Sequence, residues 1–573
     1  MILREMRTGA RFIPRIKFSM LVLTLPFKIT DMKSIFKFRP VHLLAGAMLV
    51  VLSSCNDFLE KEPLNAVSEL VVWNDVPLVE AFVNETYATM RTGWPNHSSL
   101  SVTSDESFAR ERDGAHLIQR GQITPSNLGH LNWTWAHYYT IITKSNIFFD
   151  KLQGADLDAL KAIDEKRVNR MIGEMKFLRA FSYFRLSAFF GGVPLIENVF
   201  GLDDEFGVEK SSYEEITAYV VKELDEAAAL LPLAHDAANK GRITKGACLA
   251  IKSRALLYAA SPLHNTTNDK GKWQQAADAA RAVIDLKLYA LYPEYGKVFT
   301  VPFNSEVIWE KVMNNDVLRQ ETIERYFFPN GSGGHAVTVP THQQAETYET
   351  KNGLLPKDDP TYKLEKFWEN RDPRFYETIL YDGAPWKGRQ IEVFLPKGMD
   401  SNQGNEGWNA SYTGYYTKKF VNESVNGPGS TNSSSPNWPY ARYAEILLNY
   451  AEALYNLGDE AGAREYINQV RARQNVNMPA VKDTGAKLLA RIQNERRVEL
   501  YLEEHRFFDI RRWKLTFPAS TSLLKMNVEL AGGKKTYSFS PVIQFALPEN
   551  TYLLPIPQDE INKSAVLKQN PGY

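Results

Sequence analysis

Two stretches of the chain share one pattern, a pair of helical segments rich in small residues. Residues 244–286 read TKGACLAIKSRALLYAASPLHNTTNDKGKWQQAADAARAVIDL, and residues 442–474 read RYAEILLNYAEALYNLGDEAGAREYINQVRARQ. In each stretch the apolar residues recur at helical spacing, and Gly, Asp or Asn residues lie between the two segments. Alanine at such positions lets helices approach closely. Each stretch is therefore predicted to form a helical hairpin.

Hairpins of this kind constrain the fold, because one hairpin cannot bury its apolar face alone. The pattern resembles the tetratricopeptide repeat, in which successive hairpins stack. Ser211 or Ser212 is a candidate N-cap for a further helix. Additional helices are predicted at 75–91, 133–152, 164–192, 211–232 and 486–514. The sequence thus predicts a mostly α-helical protein built on a tetratricopeptide-like scaffold.

The section from about residue 290 to 440 differs from the helical blocks on either side. It is rich in Gly, Pro, Asn, Ser and aromatic residues, and its only strand-like runs are short, such as EVIWEKVM (306–313) and QIEVFLP (390–396). Loops on a rigid scaffold are where binding residues usually lie. We predict an N-terminal helical region at 75–289 and a C-terminal region at 290–573 that contains this loop-rich section.

The N-terminus carries the features of an export signal. Basic residues precede the 12-residue apolar run Val41–Leu52, which is too short to span a bilayer. The run ends in LSSC, which resembles the lipobox of bacterial lipoproteins, with Cys55 as the lipid-bearing residue; the alternative is a plain signal peptide followed by a chance cysteine. We predict a signal peptide at 1–54, with Met32 as an alternative start, and a lipidated tether at 55–74.

Charge and motifs exclude several function classes. Nine of the basic and two of the acidic residues lie in 1–54, which leaves the remainder with a formal charge of −7. An acidic body argues against nucleic acid as a partner, since phosphate binding needs basic patches. The sequence contains no HExxH, GxSxG or phosphate-loop motif and no Cys/His spacing typical of a metal site. We expect no catalytic residue, no cofactor and no metal.

Two clusters of charged residues are candidate catalytic sites. Asp105 and Glu106, in TSDESFARERDG, could act as a pair of carboxylates in glycoside hydrolysis, but a solvated loop or a polar contact to a ligand is favoured. His505 lies in EEHRFFDIRRW among charges of alternating sign, a pattern typical of a salt-bridged packing helix. Neither cluster predicts an enzyme.

Several aromatic residues lie in Gly-, Asn- or Pro-rich loops rather than on a helix face. Such rings either fold back into the core or form a platform on which flat sugar rings stack, with polar neighbours that orient the ligand. The predicted ligand-binding residues are Trp94, Asn96, Arg112, Tyr326, Phe328, Trp386 and Trp408.

The chain also resembles a known family over nearly its whole mature length. The matching stretches include GEMKFLRAFSYFRLSAFFGGVPLI, PTHQQAETYETKNG, RDPRFYETILYDG, NERRVELYLEEHRFFDIRRW and YLLPIPQDEINKSAVLKQNPGY, in family order. On these residues the chain is similar to the SusD/RagB family of outer-membrane nutrient-binding lipoproteins.

This resemblance implies a function as well as a fold. It implies a non-enzymatic lipoprotein that binds oligosaccharide and delivers it to a SusC-type TonB-dependent β-barrel, with the helical repeats facing the barrel and loops building the ligand site. Peptide capture by the same architecture is the main alternative, and a surface glycoside hydrolase is a third. Asn56, Asp57 and Glu60, after the cysteine, are compatible with display on the outer face of the outer membrane.

Overall fold

Most of the regular structure is helical, as the sequence predicts. The computed structural model describes residues 69–573 except 95–98, 111–113, 202–206, 314–322 and 428–435. Its α-helices are α1 (Glu69–Trp73), α2 (Val76–Thr89), α3 (Ala115–Gln119), α4 (Thr134–Gly154), α5 (Leu157–Phe190), α6 (Tyr213–Leu230), α7 (Lys245–Ala260), α8 (Lys270–Asp285), α9 (Ile323–Phe327), α10 (His342–Thr347), α11 (Pro373–Thr378), α12 (Tyr443–Leu457), α13 (Glu460–Arg471), α14 (Gly485–Glu499), α15 (Arg506–Arg512) and α16 (Gln558–Lys563).

The two predicted hairpins are present and lie side by side. Helices α7 and α8 form the first, α12 and α13 form the second, and α8 packs against α12. Small buried residues lie at their contact, among them Ala276, Ala277 and Ala453. Helices α5 and α6 extend the same layer on the other side of α7. The tetratricopeptide-like scaffold is therefore confirmed.

Local signals in the sequence determine where these helices begin and end. The Thr244 hydroxyl accepts a hydrogen bond from the Ala247 N–H at 3.3 Å, and the Asp459 carboxylate accepts one from the Gly462 N–H at 2.8 Å. Ser212 is the N-cap of α6 and forms a capping box with Glu215. Each cap satisfies backbone donors that the first helical turn leaves without a partner.

The described strands pair as six short antiparallel ribbons. The pairs are β1 (Ser107–Ala109) with β5 (Thr338–Pro340), β2 (Val193–Pro194) with β3 (Lys210–Ser211), β4 (Val307–Lys311) with β10 (Trp438–Arg442), β6 (Ile379–Leu380) with β9 (Tyr416–Thr417), β7 (Pro385–Trp386) with β8 (Arg389–Gln390), and β11 (Ser522–Ala531) with β12 (Lys534–Gln544). The strand predicted within 306–313 is confirmed. The run 390–396 is not a regular strand beyond Gln390; there the backbone bonds through Leu395 to β11 instead.

Strands β11 and β12 form the longest ribbon, which the sequence analysis did not predict. The register runs from Ser522 opposite Gln544 to Ala531 opposite Lys534. The turn consists of Gly532 and Gly533, whose φ values are 57° and 79°. Only glycine adopts such angles readily, so this pair allows the tight reversal.

The helix predicted at 486–514 is broken in the middle. Helix α14 ends at Glu499 and α15 begins at Arg506. Leu502 and Glu504 in between have φ values of 63° and 67°, which an α-helix cannot contain. His505 is buried beside this break, where its Nδ1 lies 3.1 Å from Arg496 Nη2, consistent with a packing role.

A network of buried charges lies under this break. Arg442 donates to Glu306 at 2.7 Å, to Glu499 at 2.7 Å and to Glu503 at 2.6 Å. Arg473 donates to Glu499 at 2.6 Å. We call this set the ionic core; its members are Glu306, Asp372, Arg374, Lys419, Arg442, Arg473, Glu495, Glu499 and Glu503, all buried.

Residues 68–573 form one compact unit. The predicted boundary between residues 289 and 290 stays a prediction. Among the described residues, no helix combines the length and the apolar character that crossing a bilayer requires. The predicted signal peptide, Cys55 and residues 56–68 of the tether lie outside the described residues, whereas the end of the predicted tether forms helix α1 (Glu69–Trp73).

Candidate functional site

Three of the predicted platform aromatics are core residues. The Trp94 ring meets Phe420 and Trp438 edge to face, with centroids 4.8 Å apart in both cases. Phe328 and Trp386 pack edge to face at 5.0 Å, and both are essentially inaccessible to solvent. The expectation that these rings are exposed is wrong, because the loops that carry them fold back and bury them. As they stand, they offer no face to a ligand.

The other predicted site residues differ from one another. Tyr326 is partly buried against the same aromatic cluster. Asn96 and Arg112 lie outside the described residues. Trp408 is 61% exposed, in the short 3₁₀ turn Gly407–Asn409. Trp408 is therefore the predicted residue whose ring is open to solvent, and its role in binding stays a prediction.

Trp408 lies at a cleft of about 460 Å³. One wall is the loop 393–414, and the other is the β11–β12 ribbon, with Arg110 beyond the end of β1 completing the lining. A second exposed ring, Tyr412, lies on the same loop and is 46% accessible. Polar side chains suited to sugar hydroxyls also line this cleft, namely Ser401, Asn402, Ser411, Asn527 and Ser538.

Hydrogen bonds fix the loop wall in place. The Asp400 carboxylate accepts two hydrogen bonds from Arg389, at 2.6 and 2.7 Å, and one from the Glu392 N–H at 2.9 Å. Asn330 Nδ2 donates to the Asn405 carbonyl at 2.6 Å. These contacts anchor an irregular loop as firmly as a regular element, so the exposed rings are held in position before a ligand arrives.

The two walls are also joined to each other through the backbone. The Leu395 N–H donates to the Val528 carbonyl at 2.9 Å, and the Leu530 N–H donates to the Leu395 carbonyl at 2.8 Å. The Met526 N–H donates to the Thr413 carbonyl at 2.9 Å. The cleft is therefore built on β11, and its width is set by main-chain bonds.

An arginine and a histidine lie beside the exposed rings. The Arg110 guanidinium carbon lies 5.2 Å from the Tyr412 ring centroid and 5.8 Å from that of Trp408, within the range of cation–π attraction. The His335 ring lies 5.6 Å from Trp408 on a tilted plane. Sequence reasoning missed Arg110, although it lies in the stretch TSDESFARERDG, and Tyr412, which follows Trp408 by four residues.

A larger concavity of about 660 Å³ lies on the helical scaffold against α6, α7 and α8. Its lining includes aliphatic side chains such as Val221, Leu249 and Leu256, and Lys and Glu residues at its edge. The ring of Tyr213, its one aromatic residue, is buried. This groove lacks the combination of flat exposed rings and convergent polar groups that the cleft provides.

The carboxylates weighed as a hydrolytic pair are buried rather than solvated. Arg506 donates to both oxygens of Asp105, at 2.7 and 2.8 Å, and Arg497 lies 3.1 Å from one of them. Burial alone would raise the pKa of Asp105, but Arg497 and Arg506 hold it well below its usual range. Glu106 is buried beside it, and burial raises its pKa to about 7. Expecting a solvated loop here was wrong.

Comparison with known proteins identifies the family of this chain. A family model described as "SusD family" matches residues 305–573, and one described as "Starch-binding associating with outer membrane" matches residues 57–257. The chain belongs to the SusD/RagB family. The "SusD-like protein P2" of Formosa agariphila is 25% identical to it, over 92% of this chain and 98% of that protein.

Solved structures agree with this SusD/RagB assignment. A SusD-like protein of Bacteroides fragilis matches with a TM-score of 0.75 and 28% identity, over 90% of this chain and all of that one. A SusD-like carbohydrate-binding protein of the same species matches with a TM-score of 0.74 and 28% identity, over 87% of this chain and all of that one. The expected fold class is confirmed, and the family supports a carbohydrate-binding role associated with the outer membrane.

Proposed function

We propose that this protein is a non-enzymatic cell-surface lipoprotein that binds an oligosaccharide in the cleft and passes it to a SusC-type TonB-dependent transporter. The observation that carries the proposal is the pair of exposed rings, Trp408 and Tyr412, on a loop held rigid beside a polar lining. Stacking a pyranose ring on an aromatic face and hydrogen-bonding its hydroxyls is how such a surface recognises sugar.

Burial of Asp105 and Glu106 supports a binding role over hydrolysis at that pair. Asp105 is held by Arg497 and Arg506, and neither carboxylate lies on an accessible surface that a glycosidic bond could reach. The proposed site residues are therefore Trp408 and Tyr412 for stacking and Arg110 with the polar lining for orientation.

Isothermal titration of the mature protein against a panel of oligosaccharides and extended peptides tests the binding proposal. We expect saturable binding of a glycan and, in Trp408→Ala, an affinity at least about tenfold lower. Phe303→Ala is the matched control, since Phe303 is also an exposed aromatic but does not line the cleft. If the protein bound peptides but no glycan, peptide capture would replace the proposed glycan binding.

The anchor is tested separately from the ligand. Cys55→Ala removes the proposed lipid attachment site, so we expect the variant to leave the membrane fraction while its glycan affinity is unchanged. Fractionation followed by immunoblotting measures the first effect, and titration measures the second. A Cys55→Ala protein that stays in the membrane fraction contradicts lipid anchoring at this residue.

A further inference from the structure

Arg110 in the cleft has no carboxylate partner in the part of the chain that the structure describes. It is half-buried against Trp408 and Tyr412, and within the described residues it forms neither an ion pair nor a hydrogen bond. The arginines of the ionic core differ from Arg110: Arg442 contacts three glutamates and Arg473 contacts two. A half-buried guanidinium held by two rings and left without a counter-ion is suited to an anion from outside.

A second cation lies on the opposite wall. Lys525 is half-buried on β11, opposite Ser540 of β12, and it also has no ion pair among the described residues. Asn527 and Glu529 follow it on the same face of the strand, because side chains alternate in a strand. Lys525 and Arg110 thus both line the cleft, one on each side.

The acidic residues of the cleft do not neutralise these cations. Both oxygens of Asp400 are occupied by Arg389 and by a backbone N–H. Glu529 is exposed and lies four residues along β11 from Lys525, about 13 Å away. Arg110 and Lys525 therefore line the cleft without a paired carboxylate among the described residues, although the chain after residue 54 is acidic overall.

From this arrangement we infer that the ligand is an anionic glycan, one that carries carboxylate or sulfate groups. The inference rests on the proposed function and names the substrate class of that same cleft. A sugar ring stacked on Trp408 brings its anionic substituent to the Arg110 fork, and Lys525 meets a second anionic group across the cleft. The exposed rings orient the sugar by stacking, and the two cations favour glycans that carry a negative charge.

Equilibrium titrations with three probes of equal length test the inference: a uronate oligosaccharide, a sulfated oligosaccharide and a neutral glucan. We expect at least one anionic probe to bind about tenfold or more tightly than the neutral one, with affinity falling as salt rises. The two anionic probes distinguish a carboxylate from a sulfate ligand. Tighter binding of the neutral glucan, or equal binding of all three, overturns the inference and leaves the proposed function intact.

Variants that remove one positive charge test whether Arg110 and Lys525 cause the preference for anionic glycans. Arg110→Gln and Lys525→Gln should each weaken binding of the anionic probe by about fivefold to tenfold and flatten its salt dependence, and should weaken binding of the neutral glucan by a smaller factor. Lys534→Gln is the matched control, because Lys534 is an exposed lysine of the same ribbon outside the cleft. Unchanged anion binding in both cleft variants overturns the assignment to Arg110 and Lys525. Failure of every glycan to bind wild-type protein overturns the inference and the proposed function together.

Discussion

The ionic core and the cleft use the same residue types in opposite ways. In the ionic core every arginine faces carboxylates, as Arg374 does with Asp372, Glu495 and Glu499. In the cleft, Arg110 faces two aromatic rings and, among the described residues, no carboxylate. Trp386 is inaccessible in the core of the C-terminal region, whereas Trp408 is mostly exposed.

The difference separates side chains that hold the fold from side chains available to a ligand. A buried charge without a partner costs several kcal/mol, so charges in the ionic core must be matched to one another. A half-buried charge at a cleft retains part of its hydration, so it can remain unpaired until a ligand binds. Pairing and exposure, rather than residue type, therefore indicate which arginine or tryptophan is structural.

The largest expected effect comes from breaking the ionic core. Glu499 accepts hydrogen bonds from Arg374, Arg442 and Arg473 at 2.8, 2.7 and 2.6 Å. Burial alone would raise its pKa, but these arginines hold it below the usual range. Glu499→Gln removes the charge that all three share, so we expect the free energy of unfolding to fall by about 3–5 kcal/mol.

Denaturant unfolding measures this loss. Glu369→Gln is the control, since Glu369 forms an exposed pair with Lys366 and its loss should change stability by less than about 1 kcal/mol. Equal effects of the two substitutions would mean that the ionic core does not stabilise the fold in the way described.

The next effect concerns the tryptophan that sequence reasoning placed at the site. Trp386 packs on Phe328, and its indole N–H donates to the Ser332 hydroxyl at 3.1 Å. Trp386→Ala leaves a large cavity, and we expect about 3–5 kcal/mol of destabilisation, measured by chemical unfolding. If Trp386→Ala had wild-type stability but no longer bound the glycan, Trp386 would be a binding residue and the structural assignment would be wrong.

Glu106 contrasts with the carboxylates of the ionic core, because it is buried but accepts no hydrogen bond from any arginine that the structure describes. Burial raises its pKa from 4.5 to about 7. Between these values the unfolded chain releases the proton while the folded protein keeps it, so this group lowers stability as pH rises from about 4.5 to about 7. Glu106→Gln removes that dependence.

We therefore expect Glu106→Gln to be more stable relative to wild type at pH 8 than at pH 4, by up to about 3 kcal/mol. Unfolding free energies of both proteins across this range provide the measurement, and the difference between them cancels the contribution of other titrating groups. A difference that does not vary with pH would show that the pKa of Glu106 is the same in the folded and unfolded protein, and would contradict the rise to about 7.

The sequence predicted local structure better than the site. The hairpins at 244–286 and 442–474 were readable because helical periodicity, small residues and caps are all local signals. The β11–β12 ribbon was missed, although its Gly532–Gly533 turn between two strand-like runs was a usable signal.

Burial of the loop aromatics depends on contacts far along the chain, which no local pattern carries. Trp94 is covered by Phe420 and Trp438. The cleft likewise joins Arg110, the loop 393–414 and β11. Sequence reasoning reached Trp408 from its loop composition, but it could not reveal that Arg110 and Lys525 line one cleft and have no carboxylate partner within the described ranges.

The most direct test of the division between structural and ligand-binding side chains is the free energy of unfolding of wild type and Trp408→Ala, each with and without the bound glycan. Without glycan, the two should agree within about 0.5 kcal/mol, because Trp408 is exposed. Glycan at about one hundred times the wild-type Kd should stabilise wild type by about 2.7 kcal/mol and the variant by about 1.4 kcal/mol or less. Equal stabilisation of both proteins, or a variant that is several kcal/mol less stable without ligand, would contradict the account.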